Sequence, residues 1–118
     1  GTSAANTLTK VATYSAAVQA LNPTALSWEG ILSRSDPGTP GGFNTSRATV
    51  NTGLATAGDL YVDSPGETTI GVDGAETNAA VFDADLVHPN ATGHARRIDH
   101  SAGSAEDILN RLATVGVT

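Results

Sequence analysis

Two stretches of this chain read as β-strands, and what lies between them dictates their relative direction. The first is Ala25-Leu26-Ser27-Trp28-Glu29-Gly30-Ile31-Leu32 and the second is Asp59-Leu60-Tyr61-Val62-Asp63. Asp36-Pro37-Gly38-Thr39-Pro40-Gly41-Gly42 separates them as a loop by turn chemistry, followed by a helix from about Phe43 to Ala55 anchored by Val50 and Leu54. Strand, helix, strand closes most simply as a parallel pair joined by a right-handed crossover, so the expected class is α/β. Two strands are too few for such a fold, because a parallel sheet is normally covered on both faces and a pair leaves its edge groups unpaired. The chain is therefore expected to gain sheet from a companion segment, a companion chain or copies of itself.

The flanking elements are helical. Thr7 can cap a first helix whose apolar positions Leu8, Val11, Val18 and Leu21 share one face until Asn22-Pro23 ends it. From Ser64 to Ala84 the pattern is irregular and acidic, which reads as an elaborated loop near a site. Thr92 to about His100 can be helical, and Ser104 with Asp107 makes a capping box for a last helix carrying Ile108, Leu109 and Leu112. No repeat or linker divides the chain, and 118 residues suit a single domain spanning 1–118. The sequence has no methionine and begins Gly1-Thr2-Ser3, so it reads as a processed product or the C-terminal portion of something longer.

Composition removes several classes of function. No apolar run approaches bilayer length, so a membrane-spanning role is not expected. The absence of cysteine removes disulfides, thiolate metal sites and cysteine nucleophiles, and leaves the compartment open. Twelve acids face six Lys and Arg for a net charge of -6, and no Lys or Arg occurs from Ala48 to Ala95. That interval holds Asp59, Asp63, Glu67, Asp73, Glu76, Asp83 and Asp85, a composition that repels nucleic acid but not a neutral ester or carbohydrate. The bland reading of these acids is a solvated, solubilising face.

The stretch that carries chemistry is Asp85-Leu86-Val87-His88-Pro89-Asn90, followed by Gly93-His94. An acid three residues before an imidazole, in a turn stiffened by proline, can hold the ring in one tautomer, which is half of a Ser-His-Asp constellation. Asp85-Leu86-Val87-His88-Pro89-Asn90-Ala91-Thr92-Gly93-His94 resembles the last block of the SGNH (GDSL-type) hydrolases, D-x-x-H-P-N-x-x-G-H. The element order fits the C-terminal half of that family's domain. The resemblance implies a partial flavodoxin-like, SGNH-type three-layer fold with short parallel strands and flanking helices. It further implies Asp85 as the acid, His88 as the general base, and an ester or acetylated carbohydrate as substrate. The family's Gly-Asp-Ser block and its glycine oxyanion donor have no counterpart here. Gly1-Thr2-Ser3-Ala4 stands where G-x-N-D is expected and lacks its Asn and Asp, and nearby Asn6 sits in no motif that gives it the role, so no oxyanion-hole residue is assigned.

Substitute nucleophiles are weak. Ser3 lacks a preceding strand, and Ser33 and Ser35 lie at a strand's carboxyl edge, where α/β sites form, but lack an elbow motif. His94 and His88 find no third ligand at metal spacing, and Asp73, Asp83 and Asp85 lack the D-x-D-x-D-G order of a calcium loop, so no metal and no cofactor is expected. His100 reads as solvent-facing. Asn44-Thr45-Ser46 and Asn90-Ala91-Thr92 match glycosylation sequons, the second too close to His88 to suit a glycan, and Trp28 reads as core or interface. Two functions follow. The first is an SGNH-like ester hydrolase segment, inactive alone, whose nucleophilic serine comes from a missing N-terminal segment. The second is a structural or binding module, extracellular or virion-associated, that keeps the fold without catalysis.

Overall fold

The computed structural model describes residues 3–99, 109, 110, 112 and 113. Helix α1 spans Ala4–Gln19, and its cap is Ser3, not Thr7. Ala4 and Ala5 favour the helix strongly enough to extend it back a turn, so Ser3 Oγ accepts the Asn6 N–H at 3.3 Å. The Thr7 hydroxyl donates instead to the Ser3 carbonyl at 3.2 Å. Val11 and Ser15 are buried, whereas Leu21 lies beyond the helix end and is 81% exposed, so the apolar stripe is shorter than its period implied. Asn22, in the left-handed region at φ 56, turns the chain before Pro23.

Strands β1 (Ser27–Glu29) and β2 (Leu60–Val62) pair in parallel, as expected, with Trp28 opposite Tyr61. Each is shorter than its apolar run. Asp59 Oδ2 accepts the Leu26 N–H at 2.8 Å where the strands enter. At the exit, α2 (Phe43–Leu54) intervenes, starting after Gly42 at φ 74. Asn51 Oδ1 accepts the Ile31 N–H at 2.8 Å and Asn51 Nδ2 donates to the Ile31 carbonyl at 2.9 Å. This side-chain amide satisfies Ile31 as a neighbouring strand would, so β1 ends at Glu29. Buried Arg47 reinforces the grip by donating to the carbonyls of Ile31 at 3.2 Å and Gly71 at 3.4 Å, and by pairing with Asp73. Leu26 and Gly30 bond to β2, and the alternation of a parallel ladder then turns the backbone groups of Ser27 and Glu29 toward the open edge.

Trp28 and Tyr61 share one face of the sheet, where they pack with Leu8, Val11, Val50, Leu54 and Ala57 of and around α1 and α2. The indole of Trp28 donates to Ser15 Oγ at 3.1 Å and meets Tyr14 edge-on at 5.6 Å, consistent with its reading as a core residue. Glu29 projects to the opposite face, where Arg97 of α3 (Ala91–Asp99) reaches it. Helices thus flank a parallel pair on both faces, a small α/β arrangement. Among the described residues no helix is long and apolar enough to cross a membrane.

Residues 64–84 depart from expectation. They are not merely an elaborated loop, because Ile70, Ala75, Val81 and Phe82 build a second buried cluster against Leu32. Two 3-10 turns, Ser64–Gly66 and Ala75–Thr77, fold the segment back on itself. The acids of this segment are not uniformly a solvated face either, since Glu67 is 7% and Glu76 3% exposed. The expected capping box at Ser104 and Asp107, with Ile108, lies outside the described residues, as does His100; Leu109 and Leu112 are helical there.

Asn51→Ala strands the Ile31 N–H and leaves the Ile31 carbonyl to Arg47 alone, in a partly buried setting. The expected loss is about 1–3 kcal/mol in urea unfolding, with the m-value unchanged.

Candidate active site

The motif singled out in the sequence forms a tight turn between the second core and α3. Pro89 pairs with Phe82 as an antiparallel bridge, the Asp83 N–H donates to the His88 carbonyl at 2.8 Å, and the Asn90 N–H donates to the Val81 carbonyl at 3.0 Å. Asn90 then caps α3, its Oδ1 accepting the N–H groups of Thr92 at 3.0 Å and Gly93 at 3.1 Å. Asp85 therefore precedes the helix and does not stand in its first turn. Gly93 is buried against the same segment, and a Cβ there would lie 2.1 Å from the Val81 carbonyl oxygen. Only glycine lets α3 approach so closely.

Within the turn, Asp85 organises the backbone and the imidazole together. Its Oδ1 accepts the N–H groups of Val87 and His88, each at 3.0 Å, while Oδ2 lies 2.5 Å from His88 Nδ1. The imidazole bond, followed by the two backbone bonds, draws the Asp85 carboxyl down to about 2. An ionised carboxylate can only accept, so Nδ1 carries the proton and Nε2 is left as the free base nitrogen. Leu86 bridges the pair at φ 60, a left-handed conformation that costs a leucine about 1 kcal/mol and so requires outside support. Part of that support is the Ser35 N–H, which donates to the Leu86 carbonyl at 3.2 Å.

The remaining candidates fall away from this pair. Ser3 caps α1, and Asn6 serves as its backbone donor. Ser33 is 1% exposed and donates to Glu76 Oε2 at 2.5 Å. Among the described residues no serine hydroxyl bonds to the His88 ring, whose partner is Asp85. His94 accepts from Arg97 Nη1 at 3.0 Å, and Arg97 pairs with Glu29. Asp73 pairs with Arg47, and no group of three or more potential metal ligands assembles among the described residues. Asn90 Nδ2 donates to the carbonyls of Ala79 at 3.3 Å and Phe82 at 3.4 Å, so its sequon nitrogen is engaged by the fold.

The Asp85–His88 pair sits in the open, the His88 side chain 71% and the Asp85 side chain 48% exposed. A cleft of about 270 Å³ beside α3 is lined by Glu29, Val62, His94, Arg97 and Ile98, and another of about 330 Å³ by Glu67, Thr92, Ala95, Arg96 and Asp99. Sequence reasoning missed Asn51, Arg47, Glu67 and Glu76 as buried polar residues. Asn51, Arg47 and Glu76 bond to residues distant in sequence, and Glu67 to nearby Thr69 and Ile70 as well as to Arg96 of α3. No family model matches the chain, and no curated protein or solved structure matches it either.

The depressed carboxyl sets an acid limit on the turn. Its stabilisation is complete above the ordinary value of 3.8 and is lost as pH falls toward about 2. Carbon-detected NMR titration is expected to place the Asp85 carboxyl near 2, and Asp85→Asn to remove that part of the acid dependence of unfolding.

Proposed function

We propose that this chain supplies the acid and base of an SGNH-like, serine-dependent ester hydrolase. The observation that carries the reading is the His88 imidazole, its side chain largely exposed, held by Asp85 through Nδ1 with no partner on Nε2 among the described residues. In that role His88 Nε2 takes the proton of a serine hydroxyl as the oxygen attacks an ester carbonyl, then returns it to the leaving alcohol. Asp85 holds the ring and stabilises the imidazolium that forms between those steps. The serine and the oxyanion donors come from outside the described residues, from an N-terminal segment or a companion chain. Support also comes from the element order, from parallel strands flanked by helices on both faces, and from the D-x-x-H-P-N-x-x-G-H spacing. On this reading the fold is the C-terminal part of a flavodoxin-like, SGNH-type three-layer domain, and the substrate is a small ester or an acetylated carbohydrate.

The exposure of His88 favours a second reading, a structural or binding module in an extracellular or virion-associated setting that keeps the turn without catalysis. A catalytic base works best walled from water, and 71% exposure leaves that wall to be supplied.

Hydrolysis of short-chain p-nitrophenyl esters and acetylated saccharides by the full-length product of the reading frame separates the two. The expected result is turnover that His88→Ala lowers about 10²–10⁴-fold, with the 118-residue chain inactive alone. No turnover by the full-length product, or turnover indifferent to His88→Ala, favours the binding module. Turnover by the 118-residue chain alone that His88→Ala abolishes overturns the assignment of the serine to another segment.

The open backbone groups of Ser27 and Glu29 give the partner a place. A strand added there completes hydrogen bonds that water otherwise serves, which makes this edge the expected junction with a companion segment or a second copy. Sedimentation velocity is expected to show association of the chain with itself or with the companion. A cooperatively folding monomer that binds neither overturns it.

A further inference from the structure

Glu76 is a buried carboxylate whose contacts do not explain its burial by charge pairing. Burying a carboxylate is costly unless several donors replace its water. Here Ser33 Oγ donates at 2.5 Å. Among the described residues that donor is neutral, whereas Glu67, also buried, meets Arg96 at 3.2 Å. Ser33 lies on the chain leaving β1, two residues before Ser35, so Glu76 holds that chain from the side.

The same chain supports the Asp85–His88 turn. The Ser35 N–H donates to the carbonyl of Leu86, the left-handed residue between the acid and the base. Inside the turn, the Leu86 N–H donates to the Asp83 carbonyl at 3.2 Å, and Asp85 Oδ1 holds Val87 and His88. Those bonds shape the turn but do not fix it to the rest of the protein. Ser35 ties it to a chain that is itself held by Glu76. We propose that Glu76 is a positioning residue for His88, acting through Ser33 and Ser35 on the strained Leu86 turn so that Asp85 and the imidazole stay in register. This rests on the reading of His88 as the base, but the geometry it invokes is measurable without substrate.

The test is the tautomer of the His88 ring, read from ¹⁵N–¹H correlation spectra of the imidazole above its titration. The wild-type chain is expected to hold the Nδ1–H form. Glu76→Ala and Ser33→Ala, each removing one end of the 2.5 Å bond between them, are expected to lower the ratio of Nδ1–H to Nε2–H about two- to thirty-fold, the span of coupling through such networks. Glu67→Gln is the control, since Glu67 is equally buried but bonds to Thr69, Ile70 and Arg96, away from the turn. It is expected to lower stability and leave the ratio unchanged. Should Glu76→Ala fail to fold, Ser33→Ala carries the test, because it removes a single hydroxyl and leaves no buried charge behind that was not there before. An unchanged ratio in the folded variants overturns the proposal whatever their stability. A changed ratio in a protein without esterase activity leaves the positioning role intact and removes only the catalytic reading.

Discussion

The chain leaving β1 is held by side chains at the point where a wider sheet would hold it by backbone. A backbone N–H and carbonyl removed from water must find partners, and the first residues past the parallel pair have no strand to supply them. Asn51 provides a peptide-like donor and acceptor for Ile31, Arg47 adds a second donor to the same carbonyl, and Glu76 takes the hydroxyl of Ser33. Leu32, between these polar contacts, enters the Ile70 and Phe82 cluster. This short segment therefore joins the two apolar clusters, one under α1 and α2, the other within residues 64–84. The polar grip has a cost, for Arg47 Nε is buried without a partner among the described residues.

How much of this could be read from the sequence depends on the range of the interaction. Helices α1, α2 and α3 were legible because helical patterning acts within a few positions, although the cap of α1 fell at Ser3 and not at Thr7. The parallel pairing followed from element order. The lengths of the strands did not, because Ile31 and Leu32 look like strand residues and are diverted by Asn51 and by Ile70, 20 or more positions away. Residues 64–84 were illegible for a related reason. Ile70, Ala75, Val81 and Phe82 share neither helical nor strand spacing, so their convergence depends on 3-10 turns and on contacts with the chain after β1. Glu67 and Glu76 resembled the solvated acids around them, and burial separated them from Asp83 and Asp85 only once distant donors were in place.

The candidate site was the most legible part, since the Asp85 to Gly93 spacing is local. Its residues nevertheless divide by role. Asp85 organises three N–H groups, Pro89 makes the bridge to Phe82, Asn90 caps α3, and Gly93 allows α3 to lie against Val81. Each of these residues has work in the fold, so its presence does not by itself speak for chemistry. His88 differs from all of them. Its backbone serves the turn, but its ring is 71% exposed and, among the described residues, engaged only through Asp85, and burial of the ring contributes little to the core. An alanine would satisfy the backbone requirements of the turn equally well. The ring is thus oriented by Asp85 without being needed by the packing around it, so its order has a local, electrostatic origin and not a packing one.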